Sequence, residues 1–323
     1  MAEVVAIGEL LIDFTEISKD SNGYPSFAAH PGGAPANFLA ALSKYGISTS
    51  FIGKIGSDTF GQLLKNTISE FGIGTEDLII DDSFFTTLAF VTLDENGDRI
   101  FAFSRKPGAD TCINENEIDY NLIDNASVLH FGTLSLTDEP SRSACKNAVK
   151  YAISRNKIIS FDPNLRMPLW NSEIEAKNQF LWGIERADIL KLSDDELWFY
   201  FNLKPKDGIR YIFETYKNVK LLFITCGADG VYYANRNCCG FVSSLKDIKV
   251  IDTTGAGDIF GGSVLSVLLK SGNILKLQEL PENKLKEAVV FATAAAGLST
   301  AKYGGISSIA EYNEVLEKIK QED

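Results

Sequence analysis

Apolar positions along the chain fall into short β-branched runs separated by stretches of helical length. Residues 4–7, Val-Val-Ala-Ile, form an uninterrupted apolar run ending at Gly8. That pattern predicts a strand covered on both faces, and 9–14 reads as its continuation. From Ala126 onward the alternation is regular: an apolar run at 128–131, a helical stretch at 140–154, a run at 158–162 and a helical stretch at 173–186. Further strands are expected at 189–192 and 221–225. Strand, helix, strand in this order predicts parallel βαβ units with right-handed crossovers. Ligands of such a sheet lie beyond the carboxyl ends of its strands.

Three other patterns complete the outline. Alanine-rich helical stretches are expected at 38–45 and 285–300, each followed by glycine as a stop signal, and another helix runs to Phe71 before Gly72. Residues 84–103 alternate with period two around Asp94-Glu-Asn-Gly97-Asp, an Asn-Gly hairpin signal. Near the end, Phe260, Val264, Val267 and Leu268 recur at helical spacing, while Gly261, Gly262 and Ser263 let the first turns of that helix approach a neighbour closely.

The stretch entering this last helix is Val250-Ile-Asp-Thr-Thr-Gly-Ala-Gly-Asp258. Gly255, Ala256 and Gly257 leave backbone amides uncovered at a helix N-terminus, a place suited to phosphate or a developing anion. Asp258 can simply cap the helix. Beside an anion hole it can also take the proton of a hydroxyl that attacks a phosphoryl group.

Asp252-Thr-Thr-Gly-Ala-Gly-Asp258 resembles the C-terminal signature of the ribokinase-like (PfkB) family of carbohydrate kinases, in which the last Asp is the catalytic base. The resemblance implies a Rossmann-like three-layer α/β sandwich with a mostly parallel sheet, formed by 1–323 as a single domain, with a small β lid from about 13–30 and 84–108. His30-Pro-Gly-Gly-Ala-Pro-Ala-Asn37 is similar to the family's N-terminal signature. There Gly32, Gly33 and Asn37 contact sugar hydroxyls together with the acid matching Asp13. Taken alone, the two glycines make an ordinary turn, and Asp13 is either a solvated strand end or a buried partner of a hydroxyl-rich ligand. Arg105, in Arg-Lys-Pro-Gly-Ala-Asp110, is a solvated charge or a sugar contact, with the proline-glycine turn favouring contact.

Three further strand ends carry polar residues. Asp162-Pro-Asn164-Leu-Arg166 resembles the fructokinase branch, where the Arg lies by the substrate and the transferring phosphate; otherwise it is a helix-capping turn. Lys191-Leu-Ser-Asp-Asp-Glu196 resembles the family's Asn-x-x-Glu motif with Ser193 in place of Asn, and implies that Glu196 helps arrange Mg2+. Thr225, Gly227 and Gly230 resemble the nucleotide-binding turn, although Thr-x-Gly alone is also a strand-to-hairpin connection. ATP contacts are thus expected from Lys191, Asn164, Thr225, Gly227 and Gly230. The resemblance also implies a K+ site drawing on Asp252, Thr254, Ser299, Gly304 and Ser308.

Composition narrows the alternatives. With 31 basic and 43 acidic residues, the formal net charge is −12, which argues against nucleic acid or an anionic membrane as partner. Two histidines leave little material for a histidine metal site or a Ser-His-Asp triad. Five cysteines without a CxxC pair indicate neither a disulfide framework nor zinc. No basic leader or long apolar span is evident, so a cytoplasmic protein is expected. A dinucleotide-dependent dehydrogenase fits poorly, because the first strand leads into Gly8-Glu-Leu-Leu rather than Gly-x-Gly-x-x-Gly. A non-catalytic sugar-binding regulator on the same fold is the other rival. The expected activity is an ATP-dependent sugar kinase acting on a hydroxymethyl group, with fructose ahead of 2-keto-3-deoxygluconate and ribose, and with a possible homodimer through the lid.

Overall fold

The computed structural model describes residues 2–93, 99–272 and 274–322. Its main sheet is built on the first strand, β1 (Val4–Ile7), whose four side chains are all buried. Val4 and Ala6 enter one hydrophobic cluster and Val5 and Ile7 another, so the two faces of a single strand nucleate two cores. That is why the run is continuously apolar rather than alternating.

The following segment departs from expectation. Residues 9–14 do not prolong β1: after Gly8 the chain leaves the main sheet, and β2 (Leu11–Lys19) pairs with β3 (Pro25–Gly32) in a separate four-stranded sheet. That small sheet is completed by β7 (Leu88–Leu93) and β8 (Arg99–Ser104). The strands expected between 84 and 103 are therefore present, whereas the Asn-Gly turn at 94–98 lies outside the described residues.

Between these lid strands lie α1 (Ala34–Lys44), β4 (Thr49–Gly56), α2 (Thr59–Glu70), β5 (Ile73–Gly74) and β6 (Leu78–Asp81). Asp58 caps α2 by accepting the amides of Phe60 and Gly61. Beyond the lid the βα alternation is regular. It runs α3 (Tyr120–Asn125), β9 (Val128–Phe131), α4 (Ser141–Ser154), β10 (Ile158–Phe161), α5 (Glu173–Ile184) and β11 (Ile189–Ser193). Then come α6 (Asp194–Phe201), α7 (Pro205–Thr215), β12 (Leu221–Thr225) and the antiparallel edge pair β13 (Gly230–Asn235) and β14 (Cys239–Ser243). Three helices close the chain: α8 (Ala256–Lys270), α9 (Glu282–Ser299) and α10 (Tyr312–Glu322).

The main sheet runs β14-β13-β12-β11-β10-β9-β1-β4-β5, with β6 alongside β4, and is parallel from β12 to β5. The winding direction reverses at β1, between β4 on one side and β9 on the other. A crevice opens at such a reversal beyond the carboxyl ends of the strands. Helices α1 and α8 wall it, and they touch closely because a Cβ on Gly262 would lie 2.2 Å from the Phe38 carbonyl oxygen. His130 at the end of β9 is buried and stacks on Phe38 at 3.7 Å; burial holds its pKa down at about 4, so it packs as a neutral ring.

Candidate active site

The turn into α8 forms the centre of the crevice. Gly255 is the N-cap with φ of 73°, and a Cβ there would lie 2.9 Å from both Asn37 Nδ2 and the Gly305 Cα. Glycine is therefore required twice over, for the left-handed backbone and for the close approach. Asp258 follows in the first helical turn. Its Oδ2 accepts Asn37 Nδ2 at 2.9 Å and its Oδ1 accepts Asn164 Nδ2 at 3.4 Å, so the first turn of α1 and the segment after β10 converge on one carboxylate. Burial, then the neighbouring Asp162, push its pKa up to about 7, while Lys191, the Asn37 bond and Arg166 act in the opposite sense.

Three connected spaces surround this carboxylate. A cavity of about 100 Å3 is bordered by Asp13, Gly33, Asn37, Asn164, Arg166 and Asp258, with Phe101 and Phe103 of the lid as its apolar wall. A middle chamber is bordered by Asp162, Asn164, Arg166, Lys191, Glu196, Thr225 and Gly257. A large cleft of about 680 Å3 is bordered by Thr225, Gly227 and Gly230 on one side and by α8 and α9 residues on the other. Thr253 borders both the small cavity and the large cleft, so the turn at 253–257 separates them by its own thickness.

The structure brings most of the expected residues to these spaces. Asp13 of β2 lies over Gly32, where a Cβ would approach Asp13 Oδ2 to 2.3 Å, and Gly33 has φ of 116° with its Cβ position 2.5 Å from the Glu9 carbonyl oxygen. Lys191 Nζ bonds Asp162 Oδ2 at 2.7 Å. Burial opposes the Lys191 charge, but Asp162, Glu196 and Asp258 together hold its pKa above the ordinary value. Glu196 accepts the amides of Leu165 at 2.7 Å and Ser193 at 2.8 Å, while Ser193 Oγ accepts the Glu196 amide. Ser193 is thus the N-cap of a reciprocal capping box. The Ser in place of Asn keeps the helix start intact.

Arg105 requires a correction. Its guanidinium is buried, binding Asp110 Oδ2 through Nε at 2.8 Å, Thr137 Oγ1 through Nη1 at 2.8 Å and the Leu134 carbonyl through Nη2 at 2.9 Å. It does not border the sugar-sized cavity. A buried guanidinium needs a carboxylate, and the turn carrying Asp110 supplies one five residues away.

The residues expected around a monovalent cation gather only in part. Asp252 accepts the Thr254 amide at 3.0 Å and hydroxyl at 2.8 Å, and the Gly304 amide at 2.9 Å. Ser299 and Ser308 donate their hydroxyls to the carbonyls of Ala296 and Gly305, which leaves the hydroxyl lone pairs and the backbone oxygens for an ion. Among the described residues no group of three His, Cys, Asp or Glu could hold a metal.

Three participants were not singled out from the sequence as site residues. Asp162, 5% exposed, is the strongest charged neighbour of Asp258, and its Oδ1 is buried without a hydrogen-bond partner among the described residues. As the first residue after β10, it was reachable by the strand-end rule. Thr253 joins two of the spaces. Glu9 borders the small cavity while its Oε1 accepts the Ala34 amide at 3.0 Å, and burial pushes its pKa up to about 7. Nothing in Gly-Glu-Leu-Leu marked it.

An open parallel sheet with a nucleotide-sized cleft, a sugar-sized cavity and a carboxylate on the amide-rich turn between them defines a phosphotransferase of the carbohydrate kinase type. Residues 1–311 match the model of the pfkB family carbohydrate kinases, and the chain belongs to that family. It is 39% identical over 310 residues to Fructokinase-2 of Oryza sativa subsp. japonica, covering 95% of this chain and 90% of the relative. The crystal structure of fructokinase with bound ATP from Xylella fastidiosa superposes with a TM-score of 0.87 at 28% identity, over 100% of this chain and 99% of the other. A fructokinase double mutant from Vibrio cholerae O395, solved with fructose, ADP and potassium ion, gives 0.87 at 28% identity, over 99% of this chain and 98% of that one. Among the described residues no helix is long and apolar enough to cross a membrane.

Proposed function

We propose that this carbohydrate kinase transfers the γ-phosphoryl group of ATP to the hydroxymethyl hydroxyl of fructose, yielding fructose 6-phosphate. The observation that carries the reading is the position of Asp258: a buried carboxylate, raised in pKa, in the first turn of α8 and bordering the sugar-sized cavity. A base whose pKa lies near the working pH takes a proton efficiently and is regenerated easily. The fructokinase relatives and the sugar and nucleotide in the Vibrio cholerae structure support fructose and ATP as the pair.

The sugar occupies the cavity beneath Phe101 and Phe103, its hydroxyls facing Asp13, Asn37 and the Gly32-Gly33 turn. Its reacting hydroxyl points at Asp258, which takes the proton as the oxygen attacks the γ-phosphorus in line. The amides of 255–258 and the positive end of the α8 dipole receive the charge developing on the equatorial oxygens. Arg166 and Lys191 border the same chamber and balance that charge. Thr225, Gly227 and Gly230 line the cleft assigned to the nucleotide. Mg2+ would supply charge neutralisation for the phosphates; Glu196 orders the surrounding backbone at Leu165 and Ser193. A potassium ion beside Asp252 would order the loop at Gly304 that backs the anion hole.

The deciding experiment offers fructose, 2-keto-3-deoxygluconate and ribose to the purified protein at fixed ATP and measures ADP formation. Fructose is expected to give the highest kcat/KM. Preference for another sugar would remove fructose, and no turnover with any would favour a silent binder. A cytoplasmic setting belongs to the same reading and is supported by five free cysteines. Pairing of two lids is supported by the exposed Ile17 and Ile100 on lid strands; sedimentation of Ile17→Lys against the parent tests it.

A further inference from the structure

Arg166 lies in an irregular segment between β10 and α5, bordering both the sugar cavity and the chamber assigned to phosphate. Among the described residues, its one side-chain hydrogen bond runs from Nη1 to the carbonyl of its own neighbour Leu165, at 3.0 Å. No carboxylate pairs with it there, and no donor–acceptor contact from another element fixes the direction of its guanidinium. What meets it from elsewhere in the fold is the ring of Phe101 on β8, with Cζ 5.2 Å from the ring centroid. A guanidinium at this distance over an aromatic face is held by the ring quadrupole.

The aromatic side of this contact is built into the lid. Phe101 is half-buried and stacks on Phe103 two residues along the same strand, at 6.1 Å and an interplanar angle of 11°. Both rings border the sugar cavity. The residue that walls the sugar is therefore the residue that orients the cation. The Arg166 charge acts on Asp258, being one of the influences that draw its raised pKa back down.

We infer that Phe101 is a positioning residue for phosphoryl transfer: its ring holds the Arg166 guanidinium against the reacting groups, so that seating of the lid over the sugar completes the charge arrangement around Asp258. The inference rests on the proposed kinase reading, in which Arg166 faces the transferring phosphoryl group. When the lid is displaced, Arg166 loses the one cross-element contact it has among the described residues, and the stabilisation of the equatorial oxygens weakens. Water entering an open cavity then meets an incomplete site. Phosphoryl transfer is thereby tied to the presence of the sugar without any direct contact between sugar and Arg166 being required.

The wall role and the cation role of Phe101 separate cleanly under ring fluorination. Fluorine changes the ring volume little and drains negative charge from its face. Phe101 is replaced by 4-fluoro-, 3,5-difluoro- and 3,4,5-trifluorophenylalanine, in the parent and in Arg166→Ala, and kcat and the fructose KM are measured at saturating ATP. In the parent, kcat is expected to fall in step with fluorination by a total of about 2- to 30-fold, the span that corresponds to cation–π contacts of ordinary strength, with KM within about twofold. In Arg166→Ala, kcat is already low and the series is flat. A flat parent series beside a strongly impaired Arg166→Ala overturns the inference and leaves the kinase reading intact. If Arg166→Ala stays within about twofold of the parent, the reading of Arg166 itself falls. A rise in KM at constant kcat makes Phe101 a wall only, which also overturns the inference. Should the fluorinated chains fold poorly by thermal melting, Phe101→Trp and Phe101→Leu decide. Retention of kcat by the ring-bearing variant and loss by the aliphatic one supports the inference, and equal loss in both refutes it.

Discussion

Replacing Asp258 by Asn removes the proposed base while keeping nearly everything else at the site. The side-chain oxygen of Asn can still accept from Asn37 Nδ2, which in the parent spans 2.9 Å. Burial raises the carboxyl pKa from 3.8 to about 7, so the ionised form is disfavoured by on the order of 4 kcal/mol in the folded protein. An acid raised in the fold contributes stability that is present below its unfolded pKa and lost as pH climbs through the folded value. The loss builds up between the unfolded value near 4 and the folded value near 7, and the neutral amide escapes it, so Asp258→Asn should melt close to the parent near pH 4 and higher than the parent from about pH 7 upward. Catalysis should move the other way. A positioned general base contributes about 10²- to 10⁴-fold, and a fall of kcat in that range is expected at saturating ATP and sugar, read by coupled detection of ADP. The parent kcat/KM should rise with pH through the region near 7 as Asp258 ionises, and this limb should vanish in the variant. Nucleotide affinity by calorimetry should be unchanged. Turnover within about tenfold of the parent, or survival of the pH limb, would refute the assignment.

Other perturbations address the neighbouring parts. Asp13→Ala should weaken sugar affinity at least about tenfold, since a charge-assisted hydrogen bond is worth about 1.5 to 3 kcal/mol, and calorimetry should find ATP affinity nearly unchanged; equal sugar affinity makes Asp13 a solvated strand end. Gly33→Ala places a methyl 2.5 Å from the Glu9 carbonyl in a left-handed backbone and should cost about 1 to 3 kcal/mol of stability by denaturant titration, with a raised sugar KM; a variant as stable as the parent contradicts the required φ. Potassium should raise kcat over a large organic cation at matched ionic strength, and equal rates would count against an ion at Asp252.

How much of this was legible in the sequence depended on whether a residue's role is local. The α8 turn could be read because Gly255, Gly257 and Asp258 act through backbone conformation and a helix start, both of which leave spacing signatures. Strand ends Asp162, Ser193 and Thr225 were reachable because apolar runs mark where a parallel sheet stops. Glu9 to Phe14 misled because a lid strand that begins four residues after β1 has the same apolar pattern as a continuation; only the pairing of Leu11 with Gly32 tells them apart. Arg105 misled for a related reason. Its ion pair with Asp110 is local, but its bonds to Thr137 and Leu134 reach a segment about 30 residues away that sequence order does not bring together with it. The contact between Phe101 and Arg166 crosses from lid to core over 65 positions and leaves no periodicity at all.

The charge balance of the site explains how an acidic protein can handle an acidic nucleotide. Around the middle chamber stand Asp162, Asp195 and Glu196 against Lys191 and Arg166, with Asp258 on the adjoining small cavity. Were every acid ionised, this set would repel phosphate. Burial and mutual repulsion instead raise the pKa of Glu196 and Asp258, and Asp258, raised to about 7, is partly protonated near neutral pH before any ligand arrives. Lys191 is bound to Asp162, which orients both side chains. Attraction for the phosphates then falls to Lys191 and Arg166, to the uncovered amides of the α8 turn and to the cation that ATP brings with it, whose effects are local and survive a net charge of −12. The same crowding of acids that weakens anion binding raises the proton affinity of Asp258. A base with an unperturbed carboxylate pKa would hold the sugar's proton more weakly; burial first, and the charge of Asp162 second, raise that affinity at Asp258.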